Sequence, residues 1–323
     1  MLLSIGDFID LYFQIKRNKK ISRLIQRFFL HEQKRSRSWW NHTTAAAPHW
    51  SDLPEIVGRW NKKISGNPST HYIHYVGNTY FKDSKRICLL SIACGTGRKE
   101  VEIATIRPDW IIKGFDVSAA RINDANFNAQ NANARNIEFI TSALSDFSFS
   151  ENTHDIILFD SSLHHFRDFN LIFTTIAPSL TKNGLVVINE YTGPDRFQWS
   201  KRQLHAANTL LKKIPRDFRR RMNSTRIKNR IYRPGSLRMI LSDPSEAIQS
   251  SRILPSLHAH FKVLQETPLG GNLLNLLLKD ITHNFLNGDE SARTVLNGLF
   301  EEEDRFIADN PSDFTFGVYQ RAQ

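Results

Sequence analysis

From residue 87 onward, short apolar runs and amphipathic segments alternate along the chain. The short runs are rich in β-branched residues and predict buried strands, whereas apolar positions at a 3.6-residue period predict helices. The predicted strands lie at 87–93, 111–117, 137–141, 155–159, 184–190, 260–266 and 314–321. This alternation predicts an α/β fold in which helices cover both faces of a mainly parallel sheet.

Helices are predicted between the strands and around the sheet. Ser118 stands where its hydroxyl can cap a helix at Ala119–Asn131, and Pro108 ends the helix that follows the first strand. Further helices are predicted at 272–285 and 293–308. Residues 1–40 carry apolar positions near helical spacing together with many bases, which predicts amphipathic basic helices.

These elements divide the chain into four regions. Residues 1–70 are predicted to form a helical N-terminal extension, and residues 71–195 a Rossmann-like core. Residues 196–255, which prolines interrupt, are predicted to form a basic helical cap inserted over the strand ends. Residues 256–323 then complete the core with its last two strands and their helices.

The composition predicts a folded protein in a reducing compartment. A chain of 323 residues with 40% hydrophobic content can bury a large core. No apolar run approaches the roughly 20 residues that span a bilayer. The two cysteines, Cys88 and Cys94, lie too far apart on an extended strand for a disulfide, and they form no metal-binding set. We therefore expect a cytoplasmic protein without a metal site.

The positive charge is concentrated in two segments. Residues 196–238 hold 14 Lys and Arg against one acid, Asp217, in a chain of formal net charge +11. The first 40 residues hold nine bases and three acids. Such segments favour a negatively charged partner, either an anionic acceptor or the inner membrane surface, which the basic helices would contact peripherally. The alternative is a set of solvated helix faces.

The first predicted strand ends in a glycine-containing turn, Ser91-Ile92-Ala93-Cys94-Gly95-Thr96-Gly97. Such a turn lets a ligand approach the backbone, and the helix after it offers N–H groups to polar ligand atoms. The three-glycine pattern of dinucleotide sites fails at Ala93 and Arg98. Asp116 ends the second strand, where a carboxylate can accept the hydroxyls of a ribose. Turn and acid together predict a nucleoside site, and the alternative for Asp116 is a helix cap.

These motifs resemble those of the class I S-adenosylmethionine-dependent methyltransferases. The resemblance rests on segments that follow the order and spacing of that family: 89–97, Asp116, 136–146, 159–166 and 180–190. The segment 314–321 resembles the family's seventh strand, which lies antiparallel between the fifth and sixth. The resemblance covers about residues 70–323. It implies a seven-stranded Rossmann-like sheet, methyl transfer and S-adenosylmethionine as the cofactor.

The resemblance also implies which residues hold the cofactor, namely Ala93, Cys94, Gly95, Gly97, Asp116, Val117, Ala143, Leu144 and Asp160. Three positions depart from the usual pattern of the family. Ser91 and Ala93 stand where an acid and a glycine are common, so the methionine end is expected to use backbone groups and Glu100. Ala143 stands where an acid commonly contacts adenine, which leaves that edge to backbone N–H groups and neighbouring side chains.

Three titratable residues follow the fourth and fifth strands, where the sulfonium of the cofactor is expected. His164, His165 and Glu190 are the predicted catalytic residues. Transfer to a hydroxyl requires an aligned nucleophile and removal of its proton. A histidine titrates near neutrality, and a carboxylate can orient it. The alternative is that one of the histidines fills the cofactor pocket.

The loop after Glu190 provides the predicted acceptor-binding residues, Tyr191, Arg196, Gln198 and Trp199. Aromatic faces with hydrogen-bonding groups suit a sugar, whereas the alternative is a loop that anchors the cap. The segments 191–199 and 269–274 also resemble bacterial methyltransferases associated with glycan synthesis. The first hypothesis is therefore O-methylation of a saccharide or glycan intermediate.

Three other functions are weighed against this one. A small natural product is the second acceptor class. A nucleic-acid-binding protein or RNA methyltransferase would explain the basic segment, but no signature for base amines is found, so nucleic acid is not the expected partner. A non-catalytic scaffold is disfavoured by the intact Gly95, Gly97 and Asp116.

Overall fold

The computed structural model describes residues 49–82 and 86–321. They form a seven-stranded sheet with the strand order β3-β2-β1-β4-β5-β7-β6. The strands are β1 (Cys88–Ile92), β2 (Ile111–Asp116), β3 (Ile137–Thr141), β4 (His154–Asp160), β5 (Leu180–Tyr191), β6 (Phe261–Gly270) and β7 (Phe314–Arg321). β7 lies antiparallel between β5 and β6, and the other pairs run parallel. The predicted Rossmann-like sheet is confirmed.

Ten α-helices accompany the sheet in the part of the chain that the structure describes. They are α1 (Pro54–Ser65), α2 (Tyr72–Tyr80), α3 (Arg98–Ile106), α4 (Ala119–Asn131), α5 (Phe169–Ile176), α6 (Lys201–Lys213), α7 (Ser236–Ser242), α8 (Ile253–His260), α9 (Leu274–Leu278) and α10 (Glu290–Ala308). None of these helices is both long enough and apolar enough to cross a membrane. The basic helices predicted within residues 1–40 lie outside the described residues.

The two faces of the sheet carry separate apolar clusters because successive side chains of a strand point to opposite faces. Leu89 and Val187 belong to a cluster that includes residues of α1, α2 and α10. Leu90 and Val186 belong to a second cluster, together with residues of α5 and α8. Burial on both faces explains why the central strands are continuous apolar runs in the sequence.

The region after β6 differs from its predicted form. The single helix expected at 272–285 is divided into α9 and a 3₁₀ turn at Thr282–Phe285. The division occurs where Asp280 has a φ of 69°, a value that an α-helix does not accommodate. Glu303 of α10 lies behind the start of α9 and accepts hydrogen bonds from the backbone N–H groups there, those of Asn272, Leu273 and Leu274.

The cap segment, residues 196–255, is less helical than predicted. It contains α6, α7 and the start of α8, but residues 214–235 are mainly irregular backbone. Their many arginines leave no apolar period to stabilise a helix. Lys228 instead fixes this stretch, because its ammonium group donates to the carbonyl oxygens of Leu276, Leu277 and Lys279 at 2.7, 2.9 and 2.6 Å.

Candidate active site

The turn between β1 and α3 has a backbone that favours small residues. Ala93, Gly95 and Gly97 all have positive φ, at 56°, 57° and 64°. A Cβ at Gly97 would lie 2.4 Å from a ring carbon of Phe139, so this position has no room for a side chain. The turn therefore brings bare backbone to the carboxyl edge of the sheet, directly before the N–H groups that begin α3.

Asp116 connects this turn to the end of β2. Its Oδ2 accepts a hydrogen bond from the N–H of Gly95 at 3.0 Å, and its Oδ1 accepts one from the N–H of Ser118 at 2.8 Å. Ser118 is the predicted cap of α4, and its hydroxyl accepts from the N–H of Arg121. The structure thus brings the predicted glycine turn, Asp116 and the neighbouring Val117 together. Their contacts with a nucleoside stay a prediction.

The adenine-side residues lie beside Asp116, as their position after β3 requires. The N–H of Ser142 donates to the backbone carbonyl of Asp116 at 3.0 Å. The carbonyl of Ala143 closes a turn by accepting from the N–H groups of Asp146 and Phe147, both at 3.1 Å. Leu144 packs at the edge of the second apolar cluster. This edge of the site is built from backbone and apolar groups.

A buried acid lies beneath the glycine turn. Glu100 accepts a hydrogen bond from the hydroxyl of Ser91 at 2.7 Å, and its side chain is almost fully buried. Burial raises the pKa of Glu100 to about 7, although the Ser91 hydrogen bond acts in the opposite direction. Burial also raises the pKa of the Cys94 thiol, which therefore stays protonated. Near pH 7 the Cys94 thiol is therefore neutral, whereas Glu100 changes its protonation state in this range.

Asp160, at the end of β4, is held by three other parts of the chain. It forms an ion pair with Lys99 of α3 and accepts from the hydroxyl of Tyr72 at 2.7 Å and from the amide of Asn189 at 3.3 Å. Sequence reasoning missed Lys99, Tyr72 and Asn189. Tyr72 precedes the first strand, and no local pattern connects it to Asp160.

Glu190, at the end of β5, is fully buried and holds the loop that follows β4. One of its oxygens accepts from the N–H groups of Ser162 and Leu163, both at 2.5 Å. The other lies 2.7 Å from Nδ1 of His164. These contacts give Glu190 a positioning role, since the carboxylate fixes both the loop and the orientation of the imidazole.

Three side chains lie close together beside Glu190, namely those of His164, His165 and Glu246. Nε2 of His164 lies 3.5 Å from Oε1 of Glu246, which comes from the cap. Burial acts to lower the pKa of His164, but the nearby Glu190 and Glu246 outweigh it and raise that pKa. The pKa of His165 is lowered by burial and by its neighbour His164. We name His164, His165, Glu190 and Glu246 the acceptor cluster.

The cap acids were not predicted as site residues. Asp243 and Glu246 lie in a segment that brings the carbonyl of His164 within 3.2 Å of the N–H of Ile248. The available signal was that these are two closely spaced acids directly after a strongly basic stretch. The grouping of His164 and His165 with an acid was not predicted either, because Glu246 is far from the histidines in sequence. The expectation of no metal site stays a prediction.

The loop after β5 makes most of its contacts with the protein itself. The hydroxyl of Tyr191 donates to the carbonyl of Pro194 at 2.9 Å, and the Trp199 ring is buried. Gln198 donates to the carbonyl of Pro234 at 2.8 Å. Arg196 donates to three cap carbonyls, those of Asp243, Pro244 and Glu246. These are the contacts of a loop that anchors the cap, and acceptor binding by these four side chains stays a prediction.

The fold is that of an S-adenosylmethionine-dependent methyltransferase. Residues 83–256 match the family model described as a methyltransferase domain, and the chain belongs to that family. S-adenosylmethionine is its cofactor. No curated protein matches the chain in sequence.

Two solved structures illustrate the shared fold. Geranyl diphosphate C-methyltransferase from Streptomyces coelicolor A3(2), solved with Mg²⁺, geranyl diphosphate and S-adenosyl-L-homocysteine, is 11% identical, with 91% of this chain and 99% of that chain covered at a TM-score of 0.50. Phosphoethanolamine N-methyltransferase 2 from Haemonchus contortus, solved with S-adenosyl-L-methionine, is 13% identical, with 89% and 60% covered at a TM-score of 0.50. At such low identity the likeness shows the fold alone.

Proposed function

We propose that this methyltransferase methylates a hydroxyl group of a saccharide or glycan intermediate. The observation that carries the choice of a hydroxyl is the 2.7 Å contact between Glu190 and His164 at the ends of β5 and β4. A carboxylate that binds Nδ1 of a histidine fixes the orientation and the tautomer of the ring. The other ring nitrogen, Nε2, then has a defined protonation state, which the transfer of a proton from a hydroxyl requires. An acceptor that is already a strong nucleophile would not require this arrangement.

The reaction is an in-line displacement. The acceptor oxygen forms a bond to the methyl carbon while the bond between that carbon and sulfur breaks, so the sulfonium leaves as a neutral thioether. The hydroxyl proton leaves to water with the assistance of His164 and His165, and Glu190 acts on this step only through His164. Alignment of oxygen, carbon and sulfur contributes the remainder of the rate increase.

The saccharide part of the proposal rests on the loop after β5 and on the charge of the cap. The segment 191–199 combines aromatic and hydrogen-bonding side chains, and it resembles loops of glycan-associated methyltransferases. Some of the basic residues of the cap make contacts within the protein. Lys228 is buried, and Arg221 forms an ion pair with Asp280 at 2.8 Å. Others, among them Arg216 and Arg230, are exposed and favour an acceptor that carries phosphate.

A panel of acceptors tests this function. The purified protein is incubated with S-adenosylmethionine labelled in its methyl group and, in parallel, with a nucleoside-diphosphate sugar, a lipid-linked saccharide phosphate, a neutral oligosaccharide, a phenol and an RNA oligonucleotide. We expect label on a saccharide hydroxyl, with the phosphorylated sugars labelled faster than the neutral one. Label on the phenol alone would favour a natural-product acceptor, and label on RNA alone would contradict both classes.

Salt dependence separates the role of the cap charge from that of the sugar. Attraction between the cap and a phosphorylated acceptor should weaken as the Debye length falls from about 10 Å at 0.1 M salt to about 3 Å at 1 M. KM for the phosphorylated sugar should therefore rise with salt, while KM for the neutral sugar stays constant. Equal responses would show that the exposed bases of the cap do not contact the acceptor.

A further inference from the structure

The acceptor cluster contains three side chains of the kinds that bind transition metals. A ring nitrogen of His164, a ring nitrogen of His165 and a carboxylate oxygen of Glu246 all lie within 4.8 Å of one another. Across residues 49–82 and 86–321, no other group of three or more such side chains meets this criterion. His164 is buried, whereas His165 and Glu246 are partly exposed, so the group opens on one side.

The surroundings of His164 match those of a histidine that binds a metal. Histidine ligands almost always donate their second ring N–H to a carboxylate, a carbonyl or water, which fixes the ring and the tautomer. Nδ1 of His164 makes this contact with Glu190 at 2.7 Å, and Nε2 lies 3.5 Å from Glu246. Two atoms bonded to one tetrahedral zinc at about 2.0–2.1 Å are about 3.3 Å apart. The observed separation is therefore close to that of two ligands.

The charge of the cluster also favours a cation. The carboxylates of Glu190, Glu246 and Asp243 all act electrostatically on the two histidines. Asp243 is 5% exposed, and its Oδ2 has no hydrogen-bond partner within the described part of the chain. A buried carboxylate oxygen without a partner is costly, and a nearby dication reduces that cost.

We propose that His164, His165 and Glu246 bind one divalent transition-metal ion, with Glu190 as the positioning residue behind His164. Two imidazoles and one carboxylate are a ligand set that suits Zn²⁺ or a similar ion, whereas Mg²⁺ prefers oxygen ligands. The open side of the group leaves room for a further ligand.

The role of this ion rests on the proposed function, although its binding does not. An ion at this position polarises a hydroxyl oxygen and lowers the pKa of the hydroxyl group. The hydroxyl proton then leaves to water, the bond from oxygen to the methyl carbon forms, and the bond from that carbon to sulfur breaks. The two histidines assist loss of the proton by holding the ion.

Metal binding is measured on the full chain without any acceptor. Protein freed of metal with EDTA and then dialysed is titrated with Zn²⁺ by calorimetry and with Co²⁺ by visible absorption. We expect one ion per chain, a Co²⁺ spectrum with d–d bands of a mixed nitrogen and oxygen site, and no displacement by Mg²⁺. Glu190→Gln should weaken binding by about 10- to 100-fold, the usual effect of removing a group that orients a ligand. His165→Asn and Glu246→Gln should weaken it further.

An exposed pair supplies the matched control. His258 and Glu266 are 2.5 Å apart at the surface, so they offer an imidazole and a carboxylate without a third ligand. His258→Asn and Glu266→Gln should keep the Zn²⁺ affinity and the Co²⁺ spectrum of the wild type. If these variants lose the spectrum instead, the ion is bound at that pair and the proposal is overturned.

Other outcomes separate this proposal from the proposed function. Equal Zn²⁺ affinity in wild type, His165→Asn and Glu246→Gln would overturn the metal site, as would no Zn²⁺ binding by a wild-type protein that still binds S-adenosylmethionine in EDTA. Methylation of a saccharide at full rate in EDTA would leave the proposed function standing while contradicting the role of the ion. Zn²⁺ bound at the cluster without methylation of any saccharide would contradict the proposed function alone.

Discussion

The cofactor side and the acceptor side of this active site are built in different ways. The cofactor side comes from one stretch of chain, residues 91–118. It contains the turn after β1 and Asp116 at the end of β2, and the Asp116 carboxylate accepts hydrogen bonds from backbone N–H groups of the same stretch. On the acceptor side, His164 and Glu190 from two strand ends meet Glu246 from the cap. The first arrangement is local, whereas the second requires the cap to be in place.

Because of this difference, we expect the cofactor side to tolerate changes in the cap better than the acceptor side does. Contacts within β1, β2 and their turns form when the sheet forms, so cofactor binding should not depend on residues 196–255. The acceptor cluster loses one of its carboxylates if the cap moves. Four experiments test this separation, and the one with the strongest expected consequence comes first.

The largest effect is expected on turnover from the acceptor cluster. Glu190→Gln and His164→Asn should each lower turnover by about 10²- to 10⁴-fold, because assisted proton removal contributes that factor. Affinity for S-adenosylmethionine should stay near that of the wild type. Initial rates with the best acceptor, calorimetry and the thermal midpoint are measured for each variant, with His258→Asn as the control. Turnover within about threefold of wild type in folded protein would exclude the assignment.

The next effect is on cofactor affinity. Asp116→Ala should weaken S-adenosylmethionine binding by about 1.5 to 3 kcal/mol, because it removes charge-assisted hydrogen bonds and frees the Gly95 turn. Calorimetry should show one cofactor per chain for the wild type. Asp124→Ala is the control, since Asp124 is an exposed acid on α4. Unchanged affinity in Asp116→Ala would remove this residue from the nucleoside site.

A smaller effect on stability tests the attachment of the cap. Lys228→Met should lower the free energy of unfolding by about 1 to 3 kcal/mol, because three backbone carbonyls, two of them in buried contacts, lose their donor. Hydrogen exchange should increase in residues 214–235, and KM for the acceptor should rise. S-adenosylmethionine affinity should not change. Lys213→Met removes an exposed lysine that pairs with Glu302 and serves as the control. Loss of cofactor affinity in Lys228→Met would contradict the separation of the two sides.

The smallest effect is a change in the pH dependence of stability from the floor of the cofactor side. The folded pKa of Glu100, about 7, lies above its ordinary value of 4.5 because of burial. The protonated group therefore favours the folded state below that ordinary value, and this contribution is lost as pH rises through about 7.

Glu100→Gln tests this linkage because it cannot ionise. The stability of the variant relative to the wild type should rise as pH increases from about 4.5 through about 7, and the two should converge below about pH 4.5. Chemical denaturation at each pH measures the difference. Glu102→Gln, which changes an exposed acid of α3, should follow the wild type throughout. Parallel pH profiles for Glu100→Gln and wild type would contradict the raised pKa.

Local sequence pattern was enough to predict the strands of the sheet, the glycine turn and Asp116 at the end of β2. Period and apolar runs specify strands that are buried on both faces, so the seven strands predicted along the chain are found in the structure. The place of β7 between β5 and β6 was implied by the family resemblance and not by periodicity. Gly97 lies in the turn after β1 and Asp116 is the last residue of β2, and the ends of parallel strands have a known place at the edge of a sheet. Local pattern alone was therefore enough to bring these residues together.

The acceptor side is assembled by tertiary contacts that no local sequence pattern indicates. The contact of Glu246 with His164, that of Tyr72 with Asp160 and the capping of α9 by Glu303 join residues with no common period or motif. The division of the predicted helix at 272–285 is likewise set by packing. The physical reason is that periodicity reports which face of an element is buried. Periodicity does not report which distant charged residue packs into a buried cluster. That depends on how the irregular, arginine-rich cap packs against the sheet.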